Sequence, residues 1–163
     1  MAQGRKFALR SDRKVVGWRE WVKLPDLGVE SVKAKVDTGA RSSALHALDI
    51  NIKRQRGVEV VTFRVHPLQD DAKTTIECRA KLLEYRRVKS SNGKTETRPV
   101  VLTHLALHGE TWPVELTLTA RDLMGFRMLL GRQAVRRRFV VDPGRSFLAK
   151  EFLPVRKSKK RKQ

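Results

Sequence analysis

VKAKVDTGARSSAL, running from Val32 to Leu45, is the stretch whose reading decides the fold of this chain. Val32, Ala34 and Val36 alternate with Lys33 and Lys35, the two-residue period of a strand with one buried face. The alternation stops at Asp37-Thr38-Gly39-Ala40, where a small hydroxyl residue and a glycine permit a sharp turn and close backbone approach around a carboxylate. An acid at the end of a strand, on such a turn, is held rigidly and still faces a ligand. A turn aspartate that bonds only its own backbone uses the same residues, so this stretch alone does not assign a role.

On either side the chain reads as further strands. Val15 to Leu24 predicts one strand, closed by Pro25-Asp26 and Gly28, with Trp18 and Trp21 on opposite faces so that at most one is deeply buried. His46 to Lys53 places Leu48, Ile50 and Ile52 on one side, and Gly57 opens a strand over Val58 to Val65. Pro67 to Lys73 is a polar turn whose acidic pair, Asp70-Asp71, lacks the further oxygen ligands of a metal loop. Thr74 to Tyr85 is strand-like and leads into Ser90-Ser91-Asn92-Gly93, where Asn-Gly supplies the positive φ angles of a tight hairpin. Arg86, Arg87, Lys89, Lys94 and Arg98 flank that turn together with Glu96, and Pro99 suits an edge or bend. A second hairpin is predicted from Val100–Leu107 and Trp112–Thr119, joined by His108-Gly109-Glu110. Met128, Leu129 and Leu130 fill both faces of a central strand that ends at Gly131. Gln133 to Arg138 makes one or two helical turns, and Arg138 to Asp142 is the last strand. The expected class is all-β with one short helix.

At 163 residues the chain has room for one domain with one core. No apolar run is long enough to cross a bilayer, and the basic start MAQGRKFALRSDRK has no apolar segment of a secretory leader. The single cysteine, Cys78, rules out an internal disulfide framework and suits a reducing cytoplasm, with buried packing as its expected role. The formal net charge is +19, and subtracting the basic ends (residues 1–14 and 156–163) leaves +9 on the body. Acidic partners are therefore expected: nucleic acid, ribosome, an anionic surface or an acidic peptide. The division follows as a basic, disordered N-terminal segment at 1–14, a domain at 15–155 and a basic, disordered tail at 156–163. His104 and His108 stand four apart, but on a strand that is about 13 Å, and neither they nor Cys78, His46 and His66 show metal-ligand spacing. No phosphate-binding Walker loop is present. The expectation is no metal and no cofactor.

A strand entering Asp37-Thr38-Gly39-Ala40, a glycine-tipped hairpin, and an apolar run ending in Gly131-Arg132 before a short helix together resemble the retropepsin-like aspartic proteases. The resemblance is in particular to the bacterial family long labelled an "ATP-dependent zinc protease", to which RimB-type proteases belong. The matching stretches are VDTGARSSALHA, RRVKSSNGKTETRPVV, TLTARDLMGFRMLLGR and FVVDPGRSFL, within Val15 to Leu148. The resemblance implies the small closed barrel of acid proteases with a flap hairpin. It also implies Asp37 as catalytic acid, with Thr38 and Gly39 fixing the paired loops. Substrate contacts are expected from Ala40, Arg41 and Ser42 and from Arg87, Asn92, Gly93, Glu96 and Arg98 of the hairpin, and structural support from Gly131 and Arg132. Viral retropepsins carry acids just after this turn, one of which pairs with the arginine of Gly-Arg. Arg41 and Ser42 stand there instead, leaving the partner of Arg132 open.

Aspartic-protease chemistry needs one ionised and one protonated carboxylate around a water. Asp37 is the only aspartate in such a tripeptide, so the second is expected from a symmetry mate in a homodimer. The function expected on this resemblance is an aspartic endopeptidase cleaving glutamate-rich peptide, such as a poly-glutamate tail on a ribosomal protein. The alternative is a non-catalytic basic RNA- or ribosome-binding module that makes its contacts through the tails. Metallohydrolysis is suggested by the family label alone. No membrane partner is expected.

Overall fold

The computed structural model describes residues 12–68, 71, 73–90 and 92–155. The basic ends, apart from residues 12–14, lie outside the described residues, as do Asp70 of the acidic pair and Ser91 of the hairpin turn. Among the described residues the chain is mostly strand. In order they are β1 (Lys14–Gly17), β2 (Arg19–Leu24), β3 (Val29–Asp37), β4 (Ser43–His46), β5 (Leu48–Gln55) and β6 (Val58–Val65). Then follow β7 (Ile76–Lys89), β8 (Thr95–Leu107), β9 (Glu110–Thr119), β10 (Met128–Gly131), the four-residue helix α1 (Arg132–Val135) and β11 (Phe139–Asp142).

Nine strands form one sheet in the order β2-β3-β10-β4-β9-β8-β7-β6-β5, and β2 also meets β8 at Lys23 and Ala106. Strand β3 buries Val32, Ala34 and Val36, as the alternation predicts. Its partner β10 runs parallel, which places Gly131 level with Asp37. Strand β4 lies between β10, to which it is antiparallel, and β9, to which it is parallel. Ser43, Ala44 and Leu45 of β4 are all buried, so this central strand carries no alternation. The core gathers Leu45, Leu105, Leu107, Leu116, Leu118, Met128 and Leu130, each almost wholly removed from solvent. Burial of this kind is worth about 1.5–3 kcal/mol per side chain against an exposed reference.

Two expectations are corrected. The single strand over Val15 to Leu24 is broken at Trp18, and β1 instead pairs in parallel with β11. The cause is Gly17: a Cβ there would stand 2.2 Å from the Arg145 carbonyl oxygen, which accepts the Trp18 amide at 2.9 Å. Trp18 and Trp21 are both only partly buried, and Arg19 lies against the rings of Trp18 and of Phe147, on which Trp21 stacks. The strand expected to begin at His46 is two strands, β4 and β5, divided at the buried Ala47, whose amide donates to Thr119. The helix makes one of the one or two turns expected, and it runs from Arg132 to Val135 because Arg136 is already extended (ψ 141°) and Arg137 has a φ of 67°.

The β7–β8 hairpin is long, 14 and 13 residues. Its register slips between Leu82 and Glu84, while Val100 and Val101 of β8 are both buried. A bulge of this kind bends and twists the pair. The outer part of the hairpin therefore leaves the core, while the inner part of β8 stays against β9. Cys78 is buried, donates its thiol to the Leu27 carbonyl at 3.4 Å, and has its pKa pushed up to about 11 by burial.

Candidate active site at the Asp37 turn

Asp37 closes β3 and is half-buried, with Thr38 and Gly39 exposed beside it. Its Oδ1 accepts the amides of Gly39 at 3.1 Å and Ala40 at 3.2 Å, and the Ala40 amide also reaches the Asp37 carbonyl at 3.2 Å. These bonds set the direction of the carboxylate. Its Oδ2 carries no hydrogen bond among the described residues. A side chain at position 39 would sit 3.3 Å from Oδ1, so glycine leaves the carboxylate its room.

The Gly131-Arg132-Gln133 segment braces this turn from behind. The Gly131 amide donates to Ser43 Oγ at 3.0 Å, that of Arg132 to the Ala40 carbonyl at 2.7 Å, and that of Gln133 to the Arg41 carbonyl at 3.2 Å. Arg132 Nη1 donates to the Thr38 carbonyl at 3.0 Å, which supplies the partner that the sequence left open. A Cβ at Gly131 would lie 2.4 Å from the Ser42 carbonyl oxygen.

The hairpin turn is longer than a two-residue Asn-Gly turn. Ser90 and Lys94 close it, with the Ser90 amide donating to Lys94 at 2.8 Å and Gly93 to Ser90 at 2.9 Å. Gly93 alone takes positive φ there among the described residues, and Asn92 Oδ1 instead accepts the Lys94 amide at 3.2 Å. Glu96 and Arg98 are brought together at 2.9 Å, with Arg98 buried. Glu96 also accepts Thr119 Oγ1 at 3.2 Å, and Arg121 stands 3.6 Å from it. The charge of Arg98 is thus engaged inside the fold. Arg41 and Arg87 are exposed.

The residue that sequence reasoning passed over is Arg86. Its Nη1 donates to Ser42 Oγ at 3.4 Å and its Nη2 to Glu115 Oε2 at 2.8 Å, while Glu84 accepts from Nε at 2.9 Å. Strand parity was the available signal, since Arg86 and Arg87 must point to opposite faces of β7. Beside it a pocket of about 160 Å³ is lined by Ser42, Glu115 and Gln133 over Pro113, Val114 and Ala134.

The histidines lie elsewhere. His104 pairs with Asp26 at 2.7 Å and His108 stacks on Phe139. Among the described residues, no three His, Cys, Asp or Glu side chains are grouped to hold a metal ion, and no helix is long and apolar enough to cross a membrane.

The profile described as "Retropepsin-like aspartic endopeptidase RimB" matches residues 15–151, a span holding the Asp37 turn, the hairpin and the Gly131-Arg132 brace. This chain belongs to the RimB-like family. A crystal structure of the Legionella pneumophila protein Lpg0085, of unknown function, superposes with a TM-score of 0.69 and 28% identity, covering 83% of this chain and 98% of that one.

Curated relatives carry another name, "Probable alpha-L-glutamate ligase". The protein from Shewanella pealeana is 46% identical over 138 residues, 84% of this chain and 30% of its own length. That from Desulfotalea psychrophila is 45% identical over 131 residues, 80% of this chain and 28% of its own. That from Parasynechococcus marenigrum is 48% identical over 129 residues, 79% of this chain and 28% of its own. The RimB-like chain thus spans less than a third of the curated relatives it matches. These names correct the function expected from the sequence, a homodimeric endopeptidase trimming a ribosomal poly-glutamate tail or, failing that, an RNA-binding module. The relatives are named for joining glutamate rather than for cutting peptide.

Proposed function

We propose that this chain serves α-L-glutamate ligation as a retropepsin-like enzyme module. In this reading it holds an α-glutamyl peptide in extended form and does aspartic-peptidase chemistry, with Asp37 as the acid–base group. The observation that carries it is the braced Asp37 turn, whose carboxylate is oriented by two amides through one oxygen and leaves the other open. The match of residues 15–151 to an aspartic endopeptidase family supports the reaction type, and the ligase names of the relatives support glutamate as the shared chemical theme. One carboxylate takes a proton from water, whose oxygen adds to the peptide carbonyl as the second carboxyl protonates the carbonyl oxygen. The C–N bond then breaks, and the first carboxyl returns its proton to the departing amine. Each chain brings one Asp-Thr-Gly, so the second carboxylate comes from another copy, with Thr38 exposed at the place where the loops would meet. The contact of β2 with β8 supports reading the strands between them as a small closed barrel, and the β7–β8 hairpin as its flap. The domain then runs over 15–155, and its net positive charge favours an acidic peptide.

The test is to incubate the full chain with an α-linked oligoglutamate in ¹⁸O-labelled water, with and without ATP and free glutamate. Shortened products carrying the label at a new carboxyl, made without ATP and abolished in Asp37→Asn, are expected. Chain extension that requires ATP, with no shortened product, would assign this chain to ligation itself and reject the hydrolytic role.

A further inference from the structure

We infer that Arg86, which reaches from the hairpin to Ser42 and Glu115 at the rim of the pocket beside the Asp37 turn, selects a carboxylate side chain of the bound peptide, and that Glu115 occupies its binding edge until substrate displaces it. The inference rests on the peptide-binding reading above and names the residue that would give that site its preference for glutamate.

The argument begins with the donors of Arg86. A guanidinium has five N–H donors in a fixed fork suited to carboxylates. The Nε side is held by Glu84, on the same strand two residues back, which fixes the plane of the group. The end-on edge is less committed. There Nη2 donates to Glu115 at 2.8 Å, and Nη1 reaches Ser42 Oγ only at 3.4 Å, a long bond that leaves a second Nη1 donor unused. Glu115 is a surface side chain, 41% exposed, so it can swing into water. The pair is part-buried, Arg86 27% and Glu115 41% exposed, so solvent and a competing carboxylate reach it from the Glu115 side.

The surroundings favour the same exchange. The pocket at this edge has Ser42 and Gln133 as further donors and an apolar floor of Pro113, Val114 and Ala134. Its volume of about 160 Å³ fits one side chain of moderate length, with methylenes against Val114 and Ala134 and the carboxylate at the rim, where Ser42 and Glu115 meet the guanidinium. Ser42 lies five residues beyond Asp37, and its main chain abuts Gly131, so the pocket is fixed to the braced turn. Arg86 reaches it from the hairpin arm. A peptide lying between the two would therefore present a side chain here. Arg98 is already buried against Glu96, and Arg87 points to the other face of β7.

The test measures binding of two fluorescent peptides, an α-linked tetraglutamate and its tetraglutamine counterpart, to the full chain carrying Asp37→Asn in every arm so that nothing is turned over. With Arg86 intact the glutamate peptide is expected to bind more tightly. Arg86→Met should remove about ten-fold of that preference, the size of one charge-assisted hydrogen bond, and Arg86→Lys should restore part of it. Glu115→Gln should tighten the glutamate peptide several-fold and leave the glutamine peptide unchanged, an effect that a merely structural Glu115 would not produce. An unchanged glutamate-to-glutamine ratio in Arg86→Met, or weaker glutamate binding in Glu115→Gln, would overturn the assignment while leaving the peptide-binding reading intact. Failure of a folded Arg86 protein to bind either peptide would remove both.

Discussion

Arg132 donates its Nη1 to the carbonyl oxygen of Thr38 at 3.0 Å, joining residues 94 apart in sequence. The arginine therefore supports the catalytic-candidate turn through its backbone rather than through an acidic side chain. Since the bond needs no carboxylate partner, Ser42 is left to line the pocket beside the turn. Removing the guanidinium should loosen residues 38–40 without dismantling the core.

Arg132→Met is expected to cost about 1.5 kcal/mol in chemical denaturation, the low end of the range for a bond to a charged group, because this bond is exposed. Turnover of an oligoglutamate peptide should fall by more than that loss explains, because the Asp37 carboxylate is aimed by amides of the same turn. Comparison of the denaturation midpoint with kcat/KM at one temperature checks both parts. Activity unchanged in a destabilised variant would show that the brace has no role in aiming Asp37.

Gly131→Ala should be far more damaging. The new methyl would meet the Ser42 carbonyl oxygen at 2.4 Å and its carbon at 2.5 Å, and both are backbone atoms that cannot rotate away. Separating β10 from the 41–43 segment would break the Gly131–Ser43 bond as well. A loss of about 3 kcal/mol or more is expected from overpacking of this kind, read as a shift in urea midpoint.

Glu20 is buried and accepts three amides: Gly17 at 2.8 Å, Leu148 at 2.8 Å and Ala149 at 3.4 Å. It pins the segment after β11 to the start of β2. Glu20→Gln preserves the size but replaces one acceptor oxygen by a donor, leaving an amide facing an N–H. The expected cost is about 1–3 kcal/mol. Amide exchange should speed up selectively at residues 148–149, which distinguishes loss of this anchor from general weakening.

Stability should decline on acidification through two groups. Burial, and then the charge of Arg127, hold His46 below its ordinary pKa of 6.5, against opposing effects of the Ala120 carbonyl and Asp122. The unfolded chain therefore takes up this proton first, so His46 contributes fully above pH 6.5 and progressively less as pH falls below it. The hydrogen bond from His104 lowers the Asp26 pKa below 3.8, so that contribution is present above this value and disappears as pH drops through the folded one. Both slopes have the same sign. Thermal melts from pH 7.5 down to about pH 2.5 should show a decline whose part below pH 6.5 is flattened in His46→Gln, while Asp26→Asn should alter only the part below pH 3.8.

The sequence by itself determined the strand into Asp37, the long hairpin and the Gly-Arg segment. Each is written in local terms: alternation at Val32, Ala34 and Val36, a glycine at the hairpin tip, and an apolar run that stops at Gly131. Alternation survives only where a strand has one wet face, and for that reason β4, with Ser43, Ala44 and Leu45 all buried between two neighbours, left no such trace. Parallel pairing of β3 with β10 and of β4 with β9 joins segments far apart in the chain, and no local period records it. The same applies to the charges. Sequence showed a cluster of hairpin arginines, but parity, the bulge near Leu82 and the positions of Glu96 and Glu115 decided that Arg98 is buried in an ion pair while Arg86 reaches Ser42. Side-chain direction and partner choice belong to the folded sheet, because both depend on which distant strand supplies the neighbouring carboxylate.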